Sequence, residues 1–221
     1  MDLNQEQWNK LEQEFLSILK GFFDDIHRDI YLLRKTEKKS FKSQLCLTFV
    51  LADTMSRVHR IFQGYRDQDI DKNNEERFRK WIDDFVLNDK NEKYKKHRGQ
   101  IAPNSKSLWE IRNSFIHFYC LPDPEKSYAV FSFGLDNDFN KKIISGLRKA
   151  SEKEVYSVDG YHLMDAILEG FTIQLLGLRD MILNNPKSYI DHVKYAYNIF
   201  RQQSTKMIDI EEMRKVIYVK K

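Results

Sequence analysis

Phe41–Gly64 reads "FKSQLCLTFVLADTMSRVHRIFQG". Its middle is apolar nearly all round. A helix with no polar face belongs in the interior of a bundle, and Gly64 suits the turn that ends it. This stretch is therefore a central, largely buried helix, and other helices are needed to cover it. The preceding segment can do so. Trp8, Leu11, Phe15, Leu19, Phe22, Ile26, Ile30 and Leu33 step by three or four, which predicts one long amphipathic helix with a solvated polar face. Phe78, Trp81, Ile82 and Phe85 mark a shorter helix in "NEERFRKWIDDFVLN". The run "DKNEKYKKHRGQ" is polar and basic and reads as a loop or frayed helix end. "PNSKSLWEIRNSFIHFYCLP" offers Ser and Asn cap candidates before its apolar steps, and Leu-Pro closes it.

Beyond Pro122 the period changes. "YAVFSFGL" alternates between turn-rich flanks and predicts a strand, with "EVYSVDGY" as its partner in a hairpin-like excursion over residues 127–158. The helical period returns in "YHLMDAILEGFTIQLLGLRDMILNN", with Pro186 as a breaker. "KSYIDHVKYAYNIFRQQ" and "DIEEMRKVIYV" then supply one or two helices in a C-terminal extension over 187–221. No repeat, linker or composition break divides the chain. The fold expected is one mostly α domain over 1–221, a helical bundle with a small two-stranded β insert.

Composition supports this reading. Hydrophobic residues make up 41% of the 221 and aromatics 13%, enough for a sizeable core. Eight Gly and four Pro are too few for a turn-rich all-β protein. No apolar run approaches the ~18–20 residues of a membrane span, so no membrane partner is expected. The acidic, amide-rich start "MDLNQEQWNKLEQEF" is unlike a signal peptide. Cys46 and Cys120, both in apolar context, read as free buried thiols of a cytoplasmic protein. The net charge of +4 permits nucleic acid as a partner without pointing to it.

A search for chemistry leaves one segment. The six His form no H-x-x-x-H pair and no cluster with Cys, so neither a metal site nor a cofactor is expected. Nor is there a phosphate-cradling Gly-rich loop or a G-x-S-x-G elbow. His27, His97, His162 and His192 are assigned to polar surfaces or helix ends. "EIRNSFIHFYCLP", from Glu110 to Pro122, remains. With each residue turning about 100°, Glu110, Asn113 and His117 share one polar line, and Leu108, Ile111, Phe115 and Phe118 share a core-facing one. Arg112 stands roughly 140° from His117 around the helix. A substrate lying across the face, or a second copy of the helix in a symmetric dimer, would connect them.

These residue types suit phosphodiester chemistry. Arginine offers a permanently charged planar fork to a phosphate, and histidine moves protons near neutral pH. Together they can cleave RNA without metal. A base deprotonates the ribose 2′-hydroxyl, which attacks the adjacent phosphate while Arg stabilises the developing charge. A structural account stands beside this one: Arg112 caps a neighbouring helix and His117 bonds a backbone carbonyl.

"LWEIRNSFIHFYCLP" resembles the signature of the HEPN superfamily (higher eukaryotes and prokaryotes nucleotide-binding). There an Arg, a polar residue, about three further residues and a His end a helix. Arg112, Asn113 and His117 match in type and spacing, and "FVLADTMSRVHRIFQG" looks like the buried second helix of such proteins, which often carries an acidic residue where Asp53 stands. The resemblance covers Trp8 to Leu121 and the helices after Gly160, leaving out the β excursion and the C-terminal extension. It implies a helical bundle, usually a homodimer with the two motifs facing across a cleft. It also implies a metal-independent endoribonuclease, often a toxin or anti-phage effector paired with an antitoxin protein. Members that have lost catalysis act instead as RNA, nucleotide or protein binding modules. By position, Arg112 would hold the scissile phosphate, His117 would be the general acid or base, and Asn113 would position substrate or ring. Asp53 and Glu110 are weaker substrate-binding candidates. Asp53 has a competing reading as the partner of Arg57 one turn on, and Glu110 as a solvated helix residue.

Overall fold

Periodic apolar residues become helices along most of the chain. The computed structural model describes residues 4–36, 40–118, 128–132 and 155–200, with a few positions between 142 and 149. Helix α1 spans Gln5–Thr36 and buries Trp8, Phe15, Leu19, Ile26 and Ile30 of the stripe its spacing predicts, with Leu11, Phe22 and Leu33 half-buried. Helix α2 spans Phe41–Phe62 and is the centre of the bundle, in contact with four of the other long helices. Leu45, Phe49, Leu51, Ala52, Met55, Val58 and Ile61 are all buried in it. Each such large side chain contributes about 1.5–3 kcal/mol relative to exposure, so no external helix could carry this sequence in water. Gly64 follows at φ 96°, a left-handed backbone that favours glycine and lets the chain leave the helix.

Helix α3 (Gln68–Asp71) is a single turn, and α4 spans Asn74–Trp81. The apolar period continues past Trp81, but the backbone widens into a π-helical turn over Ile82–Val86, where Leu87 N–H bonds Ile82 C=O at 2.8 Å. Buried Asn91 holds the exit of that turn. Its Nδ2 donates to Phe85 C=O at 2.9 Å and to Ala166 C=O at 2.8 Å. Its Oδ1 accepts Tyr94 N–H at 2.9 Å and so caps helix α5, Glu92–Ile101.

Helix α5 overturns the loop reading of "DKNEKYKKHRGQ". Besides Asn91, the Glu169 carboxylate accepts the Glu92 and Lys93 N–H groups at 3.3 and 2.7 Å, and negative charge there also suits the helix dipole. The helix kinks at His97, whose φ/ψ of −123°/23° is not helical. Helix α6, Ser105–Phe118, begins where Asn104 Oδ1 accepts Ser107 N–H at 2.9 Å, one of the expected cap types.

Strands β1 (Tyr128–Ser132) and β2 (Val155–Asp159) fall inside the two segments read as strands. They pair in parallel, Tyr128 opposite Val155, and not as a hairpin. A parallel pair needs a crossover connection rather than a tight turn, and residues 133–154 have the length for one. Asp159 ends β2 and caps helix α7, Gly160–Asn184, accepting Tyr161 and His162 N–H at 2.9 and 3.1 Å. A further helix, α8, runs over 186–200 and buries Val193 and Ala196. The second predicted C-terminal helix, "DIEEMRKVIYV", lies outside the described residues, as do Cys120 and the Leu121–Pro122 stop. One contiguous cluster of buried apolar residues runs from Trp8 to Ala196.

Helix α7 lies close against the π-helical turn at Gly170. A Cβ on Gly170 would sit 3.0 Å from Phe85 O and 3.1 Å from Val86 Cγ2. Because Phe85 O is a fixed backbone atom already bonded by Asn91, Gly170→Ala is expected to destabilise by about 1–3 kcal/mol. Urea unfolding measures this; equal or greater stability would show that the turn yields.

Candidate functional site

Three helices bring their polar residues to one place. Phe49 on α2 packs its ring against Phe78 on α4 and Phe115 on α6, each at 6.4 Å between centroids. This aromatic floor fixes the residues a turn or less away: Asp53 follows Phe49 on α2, Arg77 precedes Phe78 on α4, and Arg112 precedes Phe115 on α6. Leu108, Ile111 and Phe115 are buried as predicted, and Arg112, at the edge of that apolar line, reaches Asp53 on α2.

Asp53 Oδ1 takes two arginines, Arg77 Nη2 at 2.9 Å and Arg112 Nη2 at 3.3 Å. Arg77 also donates to Ser56 Oγ at 3.0 Å, Ile70 C=O at 3.2 Å and Asp71 Oδ1 at 2.6 Å. Arg57 completes the network through Asp71 at 3.0 Å. The expected Asp53–Arg57 pair is therefore replaced. Arg57 points outward and is half exposed, whereas Arg77 comes from another helix and is only 2% exposed. Three guanidinium groups share two carboxylates, so the cluster keeps an excess positive charge.

Arg112 lies over the Trp109 ring, 5.0 Å from its centroid, and its side chain is 13% exposed. Its Nη1 donates to Asn113 Oδ1 at 2.8 Å, and its buried Nε makes no hydrogen bond among the described residues. Burial lowers its pKa, which Asp53 opposes and the like charges of Arg77 and Arg57 reinforce; the group stays charged at neutral pH. The structure thus joins Arg112, Asn113 and Asp53. Glu110 is half-buried and the α6 backbone is helical through His117, but the side chains of His117 and Phe118 lie outside the described residues. No family model, curated protein or solved structure matches the chain.

Arg77 is the residue that sequence reasoning missed. A signal was present: it stands four residues before Trp81, on the core-facing line of its helix, where a charge must find a partner. The other histidines match expectation in part, with His162 in the first turn of α7. His27 is exposed, but His97 and His162 are half-buried and stack at 3.6 Å, and His192 packs against Phe62 at 5.9 Å. Cys46 is half-buried rather than buried, donates to Phe115 C=O at 3.6 Å, and has its pKa raised by burial.

His59, His97 and His192 all have pKa values below the ordinary histidine value. Burial is the first cause in each, reinforced by Lys80 at His59, by His162 and Lys96 at His97, and by Arg66 at His192. The Asp84 and Asp191 carboxylates pull His59 and His192 back upward. A depressed folded-state value means that the unfolded chain binds more protons, so this stability is complete above pH about 6.5 and is lost as pH falls through the folded values. Thermal unfolding is expected at lower temperature at pH 5.5 than at pH 7.5; an unchanged or higher Tm at pH 5.5 would contradict this.

Proposed function

We propose that this chain is a metal-independent endoribonuclease of the HEPN type. One observation carries the reading: the Arg112 fork bonds Asn113 Oδ1 at 2.8 Å. By periodicity alone Arg112 stands well away from His117, which leaves phosphate binding and proton transfer on different sides of the helix. The bond to Asn113 ties one Nη of Arg112 to the residue that His117 follows one turn later in the sequence. A phosphate at that fork meets charge-assisted donors on the guanidinium. His117 then removes the 2′-hydroxyl proton or protonates the 5′-oxygen that leaves, and the products are a 2′,3′-cyclic phosphate and a 5′-hydroxyl. A homodimer with facing α6 helices would supply both proton transfers, one from each copy. In this reading the molecule acts in the cytoplasm as a toxin or anti-phage effector held in check by an antitoxin protein.

The Asp53–Arg112 ion pair favours a second reading, a binding module for RNA, nucleotide or protein without turnover. There the carboxylate holds Arg112 in a fixed pose and competes with a phosphate for it. Purified protein incubated with single-stranded RNA in EDTA separates the two. Cleavage with cyclic phosphate ends is expected. Intact RNA that binds, and binds less tightly to Arg112→Ala, would leave the second reading; neither binding nor cleavage would remove both.

A further inference from the structure

The end of α2 and the exposed side of α4 enclose a cavity of about 190 Å³, lined by Ser56, His59, Arg60, Gln63, Tyr65, Glu76, Arg77 and Lys80. It contains no residue of α6, though Ser56 and Arg77 of its lining also belong to the network around Asp53. Arg60 is the feature that needs explaining. It is 7% exposed, yet no carboxylate reaches it among the described residues, whereas Arg57 and Arg77 both have acidic partners. Its hydrogen bonds all leave from Nη1, to Ile70 C=O at 3.4 Å and to Lys72 C=O. Nε and Nη2 make none among the described residues, so two donors of a buried cation remain for a group inside the cavity.

The rest of the lining fits the same kind of ligand. Arg60, Arg77 and Lys80 face one carboxylate, Glu76, which accepts Asn73 Nδ2 at 3.3 Å. Arg77 is neutralised from behind by Asp53 and Asp71, and Lys80 is paired with Asp84 at 3.3 Å, which leaves Arg60 as the charge without a counterpart. Lys80 is half exposed and can turn inward. His59 Nε2 and Gln63 Nε2 stand 2.9 Å apart at the rim. Tyr65 is 41% exposed, and its ring lies 4.5 Å from the Arg60 guanidinium carbon, a platform on which a sugar or base can rest. A water occupies about 30 Å³ of liquid, so the cavity has the room of about six waters, enough for a phosphate group in their place.

We propose that this cavity is a binding site for a phosphate group, held by the free edge of Arg60 with Lys80 and Gln63. The bond set is charge-assisted and planar on the Arg side, as phosphate recognition requires. None of these three residues belongs to α6 or bonds Asp53, so the proposal stands whether or not the chain is an enzyme.

Isothermal titration with inorganic phosphate tests it, beside fluorescence anisotropy with one oligoribonucleotide carrying either a 5′-phosphate or a 5′-hydroxyl. Saturable phosphate binding with a Kd in the millimolar range or tighter is expected. A further preference for the 5′-phosphorylated strand would identify a nucleic-acid end as the source, and equal binding of the two strands would identify free phosphate. Arg60→Met is expected to weaken binding at least tenfold. Because Arg60 is buried, Gln63→Glu serves as a second variant: Gln63 is exposed, and a carboxylate there is expected to cause a similar loss with an unchanged Tm. The proposal is overturned if wild type binds no phosphate up to about 10 mM, or if a folded Gln63→Glu protein binds as wild type does.

Discussion

His117→Ala is expected to lower RNA cleavage by about 10²–10⁴-fold while leaving the fold and RNA affinity near their wild-type values. Asn113 has no proton to exchange near neutral pH, and Arg112 stays charged, so neither can replace an imidazole. Arg112 remains to hold the phosphate, and the loss therefore falls on kcat and not on KM. By helical spacing His117 also falls outside the apolar line of Leu108, Ile111 and Phe115 that docks α6. The pH profile supplies an independent check. Wild-type activity should change across the histidine range, and whatever activity the variant keeps should lack that limb. Equal rates for the two proteins in EDTA would remove His117 from the chemistry and the enzyme reading with it.

The parts of the fold that could be read from the chain are those that one helix face decides for itself. Most of the line from Trp8 to Ile30, and that from Leu108 to Phe115, are buried as their spacing requires, because burial of an apolar stripe is nearly independent of which partner covers it. What could not be read depends on distant neighbours. Helix α5 has only Tyr94 and Ile101 as large apolar residues, and its start is held by Glu169, a residue of α7. The same limit applies to the strands: alternation marks a strand but says nothing of its direction, so the parallel pairing was hidden. In the candidate site, Arg112, Asn113 and Asp53 were each picked out from the sequence, but the Arg112–Asn113 bond was not, because neighbours on a helix point about 100° apart. Nor was the choice of Arg77 over Arg57 for Asp53, since it is set by how α4 lies on α2.

Arg77→Met should be the most destabilising single change in the described polar network, at about 3–5 kcal/mol. The guanidinium is 2% exposed and donates to four groups: Ser56 Oγ, Ile70 C=O, Asp71 and Asp53. Met fills much of the volume but supplies no donor, so the acceptors lose a shared partner inside the protein, where water does not replace it. Asp71 keeps Arg57 and Asp53 keeps Arg112, which limits the loss to the buried side of the network. For a chain of this length the cost corresponds to a fall in Tm of about 6–20 °C. Arg57→Ala is the matching control. Its ion pair with Asp71 is half exposed on both sides, and solvent screening holds its cost below about 1 kcal/mol. If the two variants unfold at the same urea concentration, the buried arginine is not what joins α2 to α4. If Arg77→Met alone falls, Asp53 is left to Arg112 alone, and the same protein should then bind RNA more weakly because its phosphate-facing fork is held more tightly by the carboxylate.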